Sequence, residues 1–407
     1  MLRFAVPPRS KLRHPIVKTL LALTIPVSAF LLSQLPPRVA LSQTPEPQRW
    51  SIGYRTPWGN PPIPIEDIDW DALTHVVQFG ALVTPQGYLD LNFLKVLADA
   101  PPLIAAAHAK NVKVLLAVVQ PYWLGQTGNF QEAATNNRAT LVATIMDAVD
   151  RLGFDGVDID WEPFNAGVNG AAMRALAIDL RQKLGTRILT TAATVGAYAY
   201  WGSVESYFDR VNVMTYDLTG TWNPFSWHNA ALYDNDPRVW SVNLAVYRYT
   251  SNGVPASKLG IGLPFFGWRW TGGGITGPRQ YRVSSPTLHQ LSYQNLASQI
   301  TPQTYNWDAY AHVPYLSSHA TFQAAEQFVT YDDEKSIAAK VEYVKSNNLG
   351  GWIIWALDGD YFPSRNPKNP LLTAAKQAMG PKPAPPEPPA ETPTEPPIGP
   401  IEPPPAQ

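Results

Sequence analysis

The sequence predicts an α/β protein, a closed (β/α)8 TIM barrel carrying a small α+β insertion between its seventh and eighth strands. Three observations carry that expectation. Eight short apolar runs with β-forming composition recur along the chain, most are separated by stretches of helical spacing, and one connection, 267–350, is far longer than the others. The runs are Trp50 to Tyr54, His75 to Ala81, Val112 to Val119, Gly156 to Trp161, Ile188 to Val195, Arg210 to Tyr216, Lys258 to Phe266 and Gly351 to Leu357.

Helical spacing is clearest at Leu141, Ile145, Ala148, Val149 and Leu152, and at Met173, Leu176, Ala177 and Leu180. Strands alternating with helices imply parallel pairing, and eight of them suit a closed barrel. An open doubly wound sheet would want a glycine-rich turn after its first strand, where Tyr54-Arg55-Thr56-Pro57-Trp58 stands instead. Within the long connection, residues 270–330 read as the insertion, with Gly272 to Gly274 and many aromatics. Asp333 to Ser346, with Ile337, Lys340, Val341 and Val344, reads as the helix before the final strand.

The ends have different compositions. Arg3, Arg9, Lys11, Arg13 and Lys18 precede an uncharged apolar run from Thr19 to Leu35, the order of a secretory signal. Pro26, Pro36 and Pro37 argue against a buried core helix. Residues 1–42 are expected to act as a signal peptide cleaved near Ala40-Leu41-Ser42, or as an N-terminal membrane anchor, so the protein is expected to be exported, secreted or held in the cell envelope. Residues 381–407 are about half proline, a composition that cannot build a core, and are expected to form a disordered tail. The catalytic barrel is expected over 48–380.

Composition excludes several classes of function. A formal net charge of −1 provides no basic field for nucleic acid. The chain has no cysteine, and its histidines lack HxH or HxxxH spacing, so neither a metal nor another cofactor is expected.

The segment with the most chemistry is Phe154-Asp155-Gly156-Val157-Asp158-Ile159-Asp160-Trp161-Glu162. Strand period two puts Asp158, Asp160 and Glu162 on one face and Val157, Ile159 and Trp161 on the other. The apolar set would pack beneath helices, turning the carboxylates into the barrel, with Glu162 nearest the carboxyl end where barrel active sites lie. Carboxylates so crowded cannot all ionise cheaply, so at least one keeps its proton near neutral pH. A divalent-metal cluster or a solvated acidic turn would also use acidic residues, but neither accounts for the alternating Ile159 and Trp161.

Asp155-Gly156-Val157-Asp158-Ile159-Asp160-Trp161-Glu162 resembles the DGxDxDxE signature of glycoside hydrolase family 18, the chitinase family, at every fixed position. Lys113 to Val119 resembles the family's third strand, Met214-Thr215-Tyr216-Asp217 its sixth-strand MxYD motif, and Gly262 to Gly267 its seventh strand. Tyr331 to Ile337 and Gly350 to Asp358 resemble the approach to, and body of, the eighth, and the insertion is similar to the α+β domain some members carry. Two positions depart from the pattern. Gln120 ends the third strand where many members have SxGG, and Phe266 stands where tyrosine is frequent.

The resemblance implies retaining hydrolysis of β-1,4-linked N-acetylglucosamine polymers in which the substrate's own acetamido oxygen attacks the anomeric carbon. Glu162 would be acid and then base, Asp160 would orient the acetamido group, Asp158 would tune Asp160, and Tyr216 would bind the acetamido carbonyl. Asp217, Trp355, Tyr54, Arg269 and Trp123 complete the candidate substrate-binding set, with further stacking surfaces expected at Trp58, Trp222, Trp227 and Trp270. Peptidoglycan or another envelope glycan is the alternative substrate, a non-catalytic chitin-binding lectin the alternative function, and a monomer the expected state.

Overall fold

The computed structural model describes residues 49–59, 62–234, 236–317 and 327–381. The expected signal or anchor, and the tail beyond Pro381, lie outside the described residues. Eight parallel strands form the barrel: β1 (Trp50–Arg55), β2 (His75–Val83), β3 (Lys113–Val119), β4 (Gly156–Asp160), β5 (Ile188–Ala193), β6 (Arg210–Val213), β7 (Leu259–Pro264) and β8 (Gly351–Trp355). Each pairs with its neighbours in order, and β1 pairs with β2 on one side and β8 on the other, which closes the sheet. Closure leaves the barrel no free edge.

The two-residue period sorts each strand into an inner and an outer set. In β3, Val114, Leu116 and Val118 join the apolar layer beneath the helices, whereas Leu115, Ala117 and Val119 fill the barrel interior with Ile52, Phe79 and Ile353. The helix Arg138–Leu152 buries Leu141, Ile145, Ala148 and Val149 against that outer layer, and the helix Ala166–Leu184 buries Met173, Leu176, Ala177 and Leu180. Burying one such large aliphatic side chain contributes about 1.5–3 kcal/mol. The outer layer therefore fixes which face of each strand looks inward.

Several apolar runs extend past the strand ends. β4 stops at Asp160 rather than Trp161, and β6 at Val213 rather than Tyr216. The residues beyond still pack, but they leave the ladder: the Thr215 hydroxyl takes the N–H of Gly262 and bonds its carbonyl, each at 2.9 Å. Apolar character cannot distinguish a residue in the ladder from one packed just beyond it.

Between β7 and β8 the chain builds a second, antiparallel sheet of five strands. Their order is Thr287–Ser292, Phe266–Thr271, Gln327–Thr330, Val313–Ser317 and Tyr305–Asp308. The sheet begins at Phe266, immediately after Phe265, whereas composition pointed to Trp270. Pro264 ends β7 and has no N–H to offer a ladder.

The chain returns to the barrel through Asp332 and Asp333. Asp333 caps the helix Glu334–Ser346 with a reciprocal Ser336 contact, while Asp332 pairs with Lys340, both side chains being inaccessible to solvent. Removing one member of a buried pair strands the other's charge. Lys340→Met is expected to lower stability by about 3–5 kcal/mol, read as a lower denaturant midpoint; an unchanged midpoint would show that Asp332 does not need its partner.

Candidate active site

The inner face of β4 carries Asp158 at the barrel centre and Asp160 above it, with Glu162 just past the strand end. The opposite face is held by Val157, Ile159 and Trp161 in the outer apolar layer, where Trp161 stacks on Phe130 at 4.4 Å between ring centroids. Glycine at 156 is required by the ladder, since a Cβ there would meet the Ile188 carbonyl oxygen at 2.1 Å.

Asp158 is fully buried and accepts the Tyr54 hydroxyl at 2.6 Å; its other oxygen takes the Thr190 hydroxyl. Burial pushes its carboxyl above the ordinary value, against the pull of those two donors. Asp160 is pushed well above the ordinary value, first by burial and then by the charges of Glu162 and Asp158. Its Oδ1 is buried without a protein partner among the described residues. Burial, followed by the Asp217 charge, pushes Glu162 up to about 7. Glu162 is therefore poised to hold and release a proton near neutrality.

A cavity of about 320 Å3 opens over these groups, lined by both Asp160 and Glu162. Trp355, at the end of β8, meets Phe79 edge-on at 5.0 Å and Tyr54 at 5.5 Å between ring centroids, giving the cavity an aromatic base. Trp58 and Trp123 stand along one side, 51% and 40% exposed, far enough out of the core to offer ring faces to a ligand. Tyr216 enters from the end of β6 and packs edge-on against Phe266 at 5.6 Å. Its ring lies across Gly262, where a Cβ would come within 2.6 Å of it. Burial, and then the surrounding carboxylates, push the Tyr216 hydroxyl far above its usual range, so it remains a neutral donor. Asp217 sits at the cavity mouth with solvent on one side and protein crowding it on the other. That crowding pushes its carboxyl up, opposed by the Trp268 indole N–H donated to Oδ1 at 2.7 Å.

Such a site can give a proton, take one back and cradle an apolar ring face. The family model for glycosyl hydrolases family 18 matches residues 51–360. The chain belongs to glycosyl hydrolases family 18.

Among similar proteins, chitinase A1 of Niallia circulans is 30% identical over 290 residues, covering 61% of this chain and 41% of that one. Chitotriosidase-1 of Mus musculus is 29% identical over 309 residues, covering 68% and 62%. The chain thus spans less than two thirds of either relative's length. Among solved structures, a family 18 N-acetylglucosaminidase from Paenibacillus barengoltzii superposes with a TM-score of 0.67 at 26% identity, over 81% of this chain and 99% of that one.

Of the residues expected at the family 18 site, the structure gathers Glu162, Asp160, Tyr216, Asp217, Trp355, Tyr54, Trp123 and Trp58 around one cavity, with Asp158 beneath them. Tyr54 contributes its ring to the wall, but its hydroxyl is spent on Asp158. Arg269 does not belong there. It lies in the second sheet on the strand face opposite Trp268, whose indole meets Asp217 at the cavity, and donates to Gln299 Oε1 at 2.6 Å. Trp227 and Trp270 are fully buried core residues, and Trp222, although exposed, does not line the cavity. Gln120 is also buried: its Oε1 accepts the Phe130 N–H at 2.7 Å and its amide reaches the Gln126 carbonyl, tying down the loop that presents Tyr122 and Trp123. Met214 of the MxYD-like segment also lines the cavity, as do Phe79, Tyr122, Ala192 and Gln290, for which the sequence suggested no role.

Proposed function

We propose that the protein hydrolyses β-1,4-linked N-acetylglucosamine polymers of the chitin type, retaining anomeric configuration by a substrate-assisted route. The observation that carries this reading is the stack of buried Asp158 and Asp160 under half-buried Glu162, beneath an aromatic-walled cavity, with Glu162 poised at about 7. Membership of family 18, and similarity to a chitinase and a chitotriosidase, support the substrate class.

In this reading the sugar at the reacting position rests on Trp355, which suits the apolar face of a pyranose. Glu162 protonates the leaving glycosidic oxygen. The acetamido oxygen attacks the anomeric carbon, closing an oxazolinium ring, and Asp160, through its unpartnered Oδ1, accepts the acetamido N–H and stabilises the developing positive charge. Tyr216 donates its hydroxyl to the acetamido oxygen. Glu162, now ionised, takes a proton from the water that opens the ring, and the site returns to its starting state. Asp158, held by Tyr54 and Thr190, is the fixed lower neighbour against which Asp160 can exchange a proton. Polymeric chitin does not cross a membrane, so the reading goes with export through residues 1–42.

The test is turnover on chitin oligomers beside purified peptidoglycan, using protein lacking residues 1–42. Cleavage of chitin oligomers is expected, with activity falling as pH rises through about 7, because the first step needs Glu162 protonated. Release of muropeptides with no action on chitin oligomers would move the substrate to the cell envelope.

A further inference from the structure

The loop after β6 is tied to the second sheet at two adjacent residues. His228 is fully buried, and its Nε2 lies 3.0 Å from Oδ2 of Asp308 in the strand Tyr305–Asp308. Asn229, equally buried, donates its backbone N–H to the Thr330 hydroxyl at 2.7 Å in the strand Gln327–Thr330. Its carboxamide oxygen then accepts the Asp217 N–H at 2.9 Å, and its carbonyl accepts the Leu218 N–H at 3.1 Å.

Those bonds fall where the backbone most needs them. Asp217 has φ of 54°, in the left-handed region that a residue with a Cβ keeps only when its surroundings over-determine it. Trp268, also in the second sheet, holds the Asp217 carboxylate from another side. Asn229 itself does not line the cavity, so any effect it has on the reaction passes through Asp217.

We propose that Asn229, anchored through Thr330 to the second sheet, is a positioning residue that fixes the Asp217 carboxylate on the cavity wall. The insertion thereby acts on the chemistry as well as on the shape of the groove. This inference rests on Glu162 being the acid.

Its consequence is electrostatic. The ionisable groups facing Glu162 are Asp160 from β4, Asp217 and Tyr216 from the end of β6, and Tyr122 from the loop after β3, while Tyr54 of β1 faces Asp158 and Asp160. After burial, it is the Asp217 charge that raises the proton affinity of Glu162. Asn229 and Thr330 carry no charge, so removing their hydrogen bonds perturbs Glu162 only by releasing Asp217. A negative charge moved away makes the acid lose its proton at lower pH.

The experiment is the pH profile of kcat on an N-acetylglucosamine oligomer for the full chain and for Asn229→Ala, Thr330→Val, Asp217→Asn and the Asn229→Ala/Asp217→Asn double variant. Circular dichroism and thermal unfolding confirm that each is folded. Asn229→Ala and Thr330→Val are expected to move the alkaline limb to lower pH by roughly half a unit or more, in the same direction as Asp217→Asn, with no further movement in the double variant. If Asn229→Ala fails to fold, Thr330→Val, which loses only a hydroxyl, decides the matter. An alkaline limb that moves in Asp217→Asn but stays put in the other single variants overturns the positioning role alone. A limb unmoved even in Asp217→Asn overturns the Glu162–Asp217 coupling and this inference with it.

Discussion

Glu162→Gln is expected to lower kcat on chitin oligomers by about 10²–10⁴-fold while leaving oligomer binding in place. The substitution keeps the shape and most of the hydrogen-bonding capacity of the side chain but removes the transferable proton. Binding, measured by calorimetry or by quenching of the cavity tryptophans, should persist because Trp355, Trp58 and Trp123 are untouched. Turnover equal to that of the parent would refute Glu162 as the acid. The same variant should show a second effect, on stability. Burial holds Glu162 at about 7 in the folded protein, above the ordinary glutamate value of 4.5. A group raised in this way contributes stability that is fully present below its unfolded value and lost as pH rises through the folded one. Glu162→Gln should therefore raise the melting temperature at pH 8 and change it little at pH 4. The parent gives up stability at neutral pH to keep an acid in a buried cavity.

The second large effect is on the substrate side. Oligomers bearing a free amine in place of the acetamido group at the reacting sugar should not be cleaved there, with a rate lower by at least about 10³-fold. An intramolecular nucleophile in the right geometry supplies a very high effective concentration, and its removal leaves none of that advantage. Mass spectrometry of products from partially deacetylated chitin would show an N-acetylated residue on the new reducing-end side of every cut. Efficient cleavage next to free amines would instead require a carboxylate of the protein as nucleophile, and Asp160 would be the residue to examine. In that event the raised proton affinity of Asp160 would be an obstacle, since a nucleophile must be ionised.

Much of this site was legible because strand period two leaves a plain record. Asp158, Asp160 and Glu162 alternate with Val157, Ile159 and Trp161, and only one burial of that stretch satisfies both sets. Tyr216 and Trp355 were legible through motifs next to strand ends. What escaped was everything that depends on how distant segments meet. Gln290 reaches the cavity from an insertion strand with no local sign of it, and Arg269 misses the cavity because it falls on the strand face opposite Trp268, the residue paired with Gln290. Tryptophan is equally at home in a core and on a sugar-binding wall, so its presence at 227 and 270 could not separate the two. Asn229 shows the same limit: its work is done through hydrogen bonds to Thr330 and Asp217, and nothing around it in the chain announces either.

The seam that closes the barrel has a further consequence, for the order in which the protein can be assembled. β1 meets β8 through a ladder running from Trp50 opposite Gly351 to Gly53 opposite Ile354, so the earliest strand finds its last neighbour only when nearly the whole chain is available. Contacts this remote in sequence slow folding, and until they form the growing sheet exposes unpaired edges at which misassociation begins. The five-stranded insertion lies just ahead of that final step. Since closure entropy grows only with the logarithm of the enclosed length, the extra segment adds little to a loop that already spans the barrel. A site late in the chain, between β7 and the final helix and strand, is thus one where a whole subdomain can be accommodated at small kinetic cost.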